Sequence, residues 1–263
     1  MSEQKPFSKN LIIRTITGLL FIAVIIGGIA WSSYSFLVVF LLVTILCLWE
    51  FYRISIKERI RAQKYYGILL GVIVFLINYF YANKAVDSEI FIIFIPLSIF
   101  VFIFELYRDN RKPFSNIAYT FLGIIYIAVP FSLMNYLVHF NDKFVTRYSP
   151  QILLGFFFIL WTYDTGAYLV GTALGRKRMF ERLSPKKSWE GAIGGALIAG
   201  GLACLISVFY QELNMTEWLV VAGITIIMGT YGDLTESMFK RSLNLKDTGK
   251  ILPGHGGVLD RFD

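Results

Sequence analysis

The chain has 263 residues, of which 56% are hydrophobic and 16% are charged, and its mean hydropathy is +0.61. Soluble domains carry roughly 25% charged residues, so this composition excludes an ordinary water-soluble fold. Abundant Phe, Ile and Leu exclude disorder, and the presence of only two cysteines excludes a disulfide scaffold. The net charge of +7 first reports topology in a membrane protein. We therefore expect an integral membrane protein with no nucleic-acid partner.

Eight apolar stretches are long enough to cross a bilayer as helices, because a helix needs roughly 20 residues to span about 30 Å of hydrocarbon. They lack the period-two alternation of a membrane β-barrel, so the predicted fold is all-α and polytopic. The predicted spans are 12–30, 34–52, 65–81, 89–107, 117–138, 152–175, 189–209 and 217–233.

The basic residues lie almost entirely in alternate loops between these spans. Of the 25 Lys and Arg residues, 22 fall in the N-terminal segment through Arg14, in the loops 53–64, 108–112 and 176–187, and in the tail after residue 233. The other set of loops holds three. This asymmetry follows the positive-inside rule and predicts that the N-terminus, the loop 176–187 and the tail share the cytoplasmic face of a plasma membrane.

The chain has no fixed-period repeat and no Pro-rich linker, so we expect one membrane domain over residues 1–263. Its N-terminal half, 1–150, is bulky and aromatic, whereas the half 151–263 carries most of the glycines and polar residues. Two GxxxG pairs, Gly171/Gly175 and Gly191/Gly195, predict close packing of the sixth and seventh spans.

Ionisable side chains inside a bilayer are costly, so each is a functional candidate. Four acids lie within or at the ends of the predicted spans: Glu50, Glu105, Asp164 and Asp233. Glu50 and Glu105 are close enough to the membrane surface either to extend to it or to pair with Arg53 and Arg108, three residues further on. Asp164 lies midway along its span, which favours a role in a polar cavity over a purely structural one.

The loop 176–187 is densely basic, which topology or attraction to lipid headgroups explains in the simplest case. Pro185 and Ser188 also predict that a helix begins at about Trp189, where free backbone N–H groups favour an anion. Lys186 and Lys187 precede that position. A phosphate group there would meet side-chain and main-chain donors together.

The tail combines features that suit metal-dependent phosphate chemistry. Its aspartates offer the hard oxygen ligands that Mg²⁺ prefers, and Asp260 and Asp263 would share one face of a helix. Its basic residues can neutralise phosphate oxygens: Lys240, Arg241, Lys246 and Arg261. The sequence Pro-Gly-His-Gly-Gly at 253–257 predicts a tight turn with room for close approach of a ligand. These residues suggest an enzyme that acts on phosphates at the membrane surface.

This tail resembles the signature of the phosphatidate cytidylyltransferase family, the CDP-diacylglycerol synthases. The stretches YDTGAYLVG around Asp164 and SPKKSWEG at 184–191 also look like this family. The signature is matched without substitution by Ser237, Lys240, Arg241, Lys246, Asp247, Pro253, His255, Gly256, Gly257, Asp260, Arg261 and Asp263.

The resemblance implies transfer of a cytidylyl group from CTP to phosphatidate, giving CDP-diacylglycerol and pyrophosphate, in a protein surrounded by membrane lipids. It implies Mg²⁺, with K⁺ as a second cation, held by Asp233, Asp260 and Asp263. Beside these aspartates, the expected catalytic residues are Lys240, Arg241, Lys246, Asp247, His255 and Arg261. The expected substrate-binding residues are Asp164, Ser184, Lys186, Lys187, Ser188, Ser237, Gly256 and Gly257. A homodimer is an open expectation.

The family usually has one more span after the closing Asp-Arg-x-Asp, and this ninth helix is missing after Asp263: either the chain is truncated, or the protein works with eight spans. Two related activities stay open: a cytidylyltransferase and a CTP-dependent kinase for another membrane lipid. An ion-coupled secondary transporter that uses Asp164 is the rival from another class. It predicts an inverted repeat, whereas the polar residues crowd into the second half of this chain.

Overall fold

The computed structural model of the chain describes residues 7–55, 60–141, 146–245, 247–249, 251–254 and 256–262. Within these residues it contains eight helical segments that are long and apolar enough to cross a membrane. They coincide with the eight predicted spans, so the chain is a multi-pass, all-α membrane protein with two short hairpins besides. By contact the chain divides into two units, residues 1–148 with 245–262 and residues 149–244.

Unit 1 is a bundle of helices joined by short turns. Its spans carry runs of Leu, Ile, Val and Phe that suit a lipid environment, and they are helical because a helix satisfies its backbone polar groups by its own hydrogen bonds. The elements are α1 (Phe7–Trp31), α2 (Ser33–Ser55), α3 (Lys64–Ala82), a 3₁₀ turn (Ser88–Ile93), α4 (Phe94–Leu106), α5 (Pro113–Gly123), a π-helical turn (Ile124–Ala128), α6 (Val129–Leu133), α7 (Asn135–Val138), β1 (His139–Asn141), β2 (Thr146–Tyr148) and a closing 3₁₀ turn (Leu259–Arg261).

The centre of unit 1 is an aromatic core. Phe36 and Phe40 on α2 are fully buried, and their ring centroids lie 4.7 Å apart. Phe75 of α3 and Phe131 of α6 each lie 6.4 Å from one of these rings. Ring packing at such distances adds to the apolar contact that joins the spans.

A buried polar network closes the end of unit 1 where α2 begins. His139 Nδ1 donates to the Asn135 carbonyl oxygen at 2.9 Å, and its Nε2 lies 3.0 Å from Ser33 Oγ, which in turn lies 2.8 Å from the Tyr79 hydroxyl. Burial lowers the pKa of His139, and the hydrogen bond to Asn135 offsets this only in part. The imidazole is therefore held neutral.

Glu105 ends α4 in a second polar cluster, at the opposite end of unit 1. It is 3% exposed and forms the predicted ion pair with Arg108 at 2.9 Å. Gln63 and Asn116 donate to its carboxylate at 3.0 and 2.6 Å. The pairing predicted from the spacing of Glu105 and Arg108 is thus confirmed, and these amides, with that of Asn110 at 3.2 Å, explain how the acid can be buried.

Unit 2 comprises three long helices and a hairpin: α8 (Gln151–Leu174), β3 (Arg178–Phe180), β4 (Ser184–Ser188), α9 (Trp189–Phe209) and α10 (Met215–Ser242). Its core contains Ile159, Tyr163, Ala199 and Trp218. The antiparallel pair β3–β4 occupies the segment for which the sequence indicated only a basic loop. Strands of three to five residues without alternating polarity give no clear pattern.

The helices α8 and α9 pack with their backbones in close approach, as the GxxxG pairs predict. A Cβ atom added at Gly191 would lie 2.7 Å from the Ala167 carbonyl oxygen and 3.0 Å from Gly171 Cα. One added at Gly195 would lie 2.7 Å from the Tyr163 carbonyl oxygen. Larger residues at these positions would force the helices apart.

The helix α10 begins with a capping box, in which Asn214 and Glu217 satisfy each other's backbone N–H groups. It continues to Ser242, nine residues beyond the predicted end of the eighth span at Asp233. The basic residues Lys240 and Arg241 lie in its last turn, where they stabilise the negative end of the helix dipole. The first part of the signature is therefore helical.

Candidate active site

Unit 2 brings three of the predicted site residues together. Lys187 forms an ion pair with Asp233, and both side chains are partly exposed. The carboxylate of Asp164, on the middle of α8, interacts electrostatically with both of them. Two carboxylates and one ammonium group thus form a mixed-charge cluster that can exchange partners with a phosphate or a cation.

Lys187 lies on strand β4, and hydrogen bonds at both ends of the β3–β4 hairpin hold this strand in place. Ser188 Oγ accepts the backbone N–H of Gly191 at 3.2 Å and so caps α9, which confirms the predicted helix start. Glu190 accepts the backbone N–H groups of Arg176 and Lys177 at 3.1 Å. Among the other predicted residues here, Lys186 is exposed and Ser184 is half-buried. Lys186 is therefore available to a soluble anion.

The last turns of α10 carry polar residues at helical spacing. Asp233, Ser237 and Lys240 follow one another at intervals of four and three residues, so they lie along one face of the helix. Lys240 forms an ion pair with the buried Glu236, and Arg241 is exposed. Glu236 does not belong to the predicted site, and its ion pair fixes the Lys240 side chain.

The glycine segment of the tail, in unit 1, forms the predicted turn. Leu252 and Gly256 form a bridge in which each backbone N–H donates to the other's carbonyl oxygen, at 3.0 and 3.2 Å. Gly254 and Gly256 have φ angles of +78° and +90°, which residues other than glycine rarely adopt. Asp247, which is exposed, lies beside Gly256.

Asp260 lies in the closing 3₁₀ turn and is 5% exposed. Its carboxylate accepts the backbone N–H of Thr248 at 2.9 and 3.1 Å, and its Oδ2 accepts that of Gly257 at 2.8 Å. Hydrogen bonds from neutral donors to a carboxylate orient it and stabilise its charged form. The neighbouring Arg261 is exposed.

Glu50 belongs to this region, which the sequence did not reveal. Instead of the predicted partner Arg53, its Oε2 accepts the backbone N–H of Leu259 at 2.9 Å and lies 3.5 Å from Thr248 Oγ1. Gly249 and Gly257 leave room for it, because a Cβ atom at either position would overlap its carboxylate. These two glycines are the only sequence signal for this contact.

Three predicted residues, Lys246, His255 and Asp263, lie outside the residues that the structure describes. Within those that it does describe, no group of three or more His, Cys, Asp or Glu side chains could hold a metal ion. Asp260 in unit 1 and Asp233 in unit 2 each carry hard oxygen atoms of the kind that Mg²⁺ prefers, and those of Asp260 are oriented by backbone N–H groups.

Comparisons with known proteins agree with the signature. The profile of the family described as "Cytidylyltransferase family" matches residues 12–263. A protein of Staphylococcus haemolyticus named phosphatidate cytidylyltransferase is 30% identical over 95% of this chain and 93% of its own length. Proteins of the same name from Staphylococcus saprophyticus and Staphylococcus aureus are 30% and 36% identical. The former match covers 95% of this chain and 93% of the relative, and the latter covers 64% and 62%.

Proposed function

The chain belongs to the cytidylyltransferase family, and we propose that it transfers a cytidylyl group from CTP to phosphatidate, releasing pyrophosphate and forming CDP-diacylglycerol. The observation that carries this function is the unsubstituted signature from Ser237 to Asp263. Relatives that bear the name phosphatidate cytidylyltransferase at 30–36% identity support the same substrate pair. Neither the transporter nor another lipid-modifying activity is favoured by these relatives.

The reaction exchanges one phosphorus–oxygen bond for another. An oxygen of the phosphatidate phosphate attacks the α-phosphorus of CTP in line, the bond from that phosphorus to the bridging oxygen breaks, and pyrophosphate leaves with the electron pair. Such transfers depend mainly on positioning and on neutralising charge. The chain's own contribution is therefore to hold two polyanions close together.

Basic side chains supply that neutralisation in the proposal. Lys187, which is paired with Asp233, and Lys240, which is paired with Glu236, are fixed by their carboxylate partners before substrate binds. Lys186 and Arg241 are exposed and can meet an incoming phosphate. Lys246 and Arg261 complete the proposed set, and Ser184, Ser188, Ser237 and His255 are proposed to orient substrate. Asp164, which interacts electrostatically with Lys187, would help to hold that side chain in position.

The proposed metal ligands are Asp233, Asp260 and Asp263, with Mg²⁺ as the required cation and K⁺ as a second one. When bound, the cation would neutralise the phosphate oxygens at which charge develops. Asp260 supports this assignment, because the backbone N–H groups of Thr248 and Gly257 hold its oxygen atoms in place. Asp247, Gly256 and Gly257 would shape the adjacent turn.

The test supplies purified protein with CTP, phosphatidate and Mg²⁺, with the radioactive label on either the α- or the γ-phosphorus of CTP. Cytidylyl transfer moves the α label into lipid and the γ label into pyrophosphate. A CTP-dependent kinase would move the γ label into lipid when diacylglycerol replaces phosphatidate. Absence of α label from the lipid of a folded sample would contradict the proposed function.

We also propose that the protein lies in the plasma membrane with this site facing the cytoplasm. The 22 basic residues on one side of the predicted topology support that orientation. In intact cells, Lys84→Cys should react with a membrane-impermeant maleimide, whereas Arg182→Cys, on the β3–β4 hairpin, should react only after permeabilisation. The reverse labelling would contradict the orientation. The two native cysteines are replaced by serine in both samples.

A further inference from the structure

We propose that Glu50 of α2 is a positioning residue for Asp260, and that it acts by accepting hydrogen bonds from the tail rather than by binding metal or substrate. This inference rests on the proposed function only in assigning a metal ligand to Asp260. Glu50 is separated from the tail by about two hundred residues, since its sequence separation from Leu259 is 209. Nothing in the signature itself includes it.

The first step of the argument is that one carboxylate holds both ends of the tail segment 248–259. Glu50 Oε2 accepts the N–H of Leu259 at 2.9 Å and lies 3.5 Å from the hydroxyl of Thr248. Thr248 and Leu259 are the immediate supports of Asp260: the first donates its backbone N–H to the Asp260 carboxylate, and the second precedes it in the chain. Displacing Glu50 would therefore displace Asp260.

The second step is that the tail is built to admit this side chain. A Cβ atom at Gly249 would lie 2.7 Å from Glu50 Cδ, and one at Gly257 would lie 2.8 Å from the Gly249 backbone nitrogen and against Glu50 Oε2. Neither glycine is needed here for a positive φ angle. Their common property is that they leave space for the Glu50 carboxylate.

The third step is energetic. Glu50 is 2% exposed, and its Oε1 is buried without a hydrogen-bond partner among the residues that the structure describes. A buried carboxylate oxygen in that state destabilises the fold, so stability alone gives no reason for an acid at this position. A requirement to hold the tail in one conformation gives that reason.

The experiment compares Glu50→Gln and Glu50→Leu in the full-length protein in detergent. Gln keeps an oxygen acceptor for the Leu259 N–H, whereas Leu keeps only the approximate volume. Binding of Mn²⁺, used as a probe in place of Mg²⁺, is measured by electron paramagnetic resonance without CTP. Loss of an outer hydrogen-bonding partner typically weakens metal binding about 10- to 100-fold. We expect that loss in Glu50→Leu and near-normal binding in Glu50→Gln.

Hydrogen exchange provides a second readout that needs neither metal nor catalysis. The amides of Thr248, Gly257 and Leu259 should exchange at least about tenfold faster in Glu50→Leu than in the wild type, and near the wild-type rate in Glu50→Gln. Failure of the proposed function would leave this result unchanged, because the wild-type protein would then lack product formation while its tail amides stayed protected.

Glu105→Leu is the matched control, because Glu105 is a similarly buried carboxylate of unit 1 whose described partners lie outside the tail. It should leave both Mn²⁺ binding and exchange of the tail amides unchanged in the folded protein. Unchanged Mn²⁺ binding in Glu50→Leu would overturn the proposal. Equal loss in Glu50→Gln and Glu50→Leu would overturn it too, since that pattern indicates a direct ligand.

Discussion

Glu50 and Glu105 have nearly the same sequence context and different structural roles. Each lies in the last turns of an apolar helix of unit 1, and each precedes an arginine by three residues. Glu105 pairs with its arginine and accepts hydrogen bonds from three side-chain amides, whereas Glu50 accepts one from the backbone of the tail. The difference shows that the role of a buried acid depends on what the rest of the chain brings to it.

The largest effect should come from changing the proposed metal ligands. This prediction tests whether the tail segment that Glu50 contacts is part of a catalytic site, as the contrast with Glu105 requires. Asp260→Asn and Asp263→Asn should each lower the rate of CDP-diacylglycerol formation by at least about 100-fold, since each removes a charge from the proposed metal site. The α-labelled CTP assay measures this.

Folding must be checked in parallel by gel filtration and thermal unfolding in detergent. If either folded variant kept a near-normal rate, the placement of the metal would be wrong. The tail that Glu50 contacts would then have no catalytic role to separate it from the cluster around Glu105.

The next largest effect should be on stability and should come from Glu105. Glu105→Leu leaves Arg108, Gln63 and Asn116 without their shared acceptor, which should lower the free energy of unfolding by about 2–4 kcal/mol. Unfolding in mixed micelles measures the loss. The turnover rate per folded molecule should not change. A lower rate at normal stability would show that Glu105, like Glu50, supports catalysis and would contradict the proposed difference between them.

A smaller effect is expected when the space around Glu50 is filled. In Gly257→Ala the added methyl group would push against Glu50 Oε2 and Thr248, which should weaken Mn²⁺ binding by about 10- to 100-fold. Gly200→Ala is the control, because a Cβ atom at Gly200 meets nothing within 4 Å and lies in the interior of α9. Equal Mn²⁺ binding in the two variants would contradict the steric account.

The smallest effect concerns the third buried polar site of unit 1, around His139. Because burial lowers the pKa of His139, the unfolded chain binds a proton more readily than the folded one. Stability should therefore be complete above the ordinary histidine pKa of about 6.5 and should fall as the pH drops below it. Thermal unfolding between pH 8 and 5 measures this, and His139→Gln should flatten the profile. An unchanged slope in that variant would assign the effect to other groups.

Much of the fold follows from the sequence because each span depends on its own apolar run. The eight predicted spans agree with the observed helices, but hydropathy falls near Asp233 while α10 continues to Ser242. That extension depends on backbone hydrogen bonds and on the Glu236–Lys240 pair rather than on apolar character. The β3–β4 hairpin was missed because its strands are too short to show a period.

For the candidate site, residues that are close in sequence could be predicted and distant partners could not. The turn at 252–256 and the cap at Ser188 follow from local rules for glycine and serine. The contact between Glu50 and Leu259 joins the second span to the tail, and no spacing rule reaches across 209 residues. The assignment of metal and substrate ligands stays a prediction.

Because α10 is one continuous helix, the residues along it lie at fixed distances from one another along the helix axis. Its 28 residues correspond to about 42 Å, which is longer than a hydrocarbon core of about 30 Å. Asp233 and Lys240 are seven residues apart on this rod, so their levels differ by a fixed distance of about 10 Å. A lipid phosphate is confined to the level of the headgroups, whereas a nucleotide arrives from water. One continuous helix therefore fixes the distance between side chains that would contact the lipid phosphate and those that would contact the nucleotide. Inserting one residue before Asp233 would shift the following residues by about 1.5 Å along the helix axis and rotate them by about 100°.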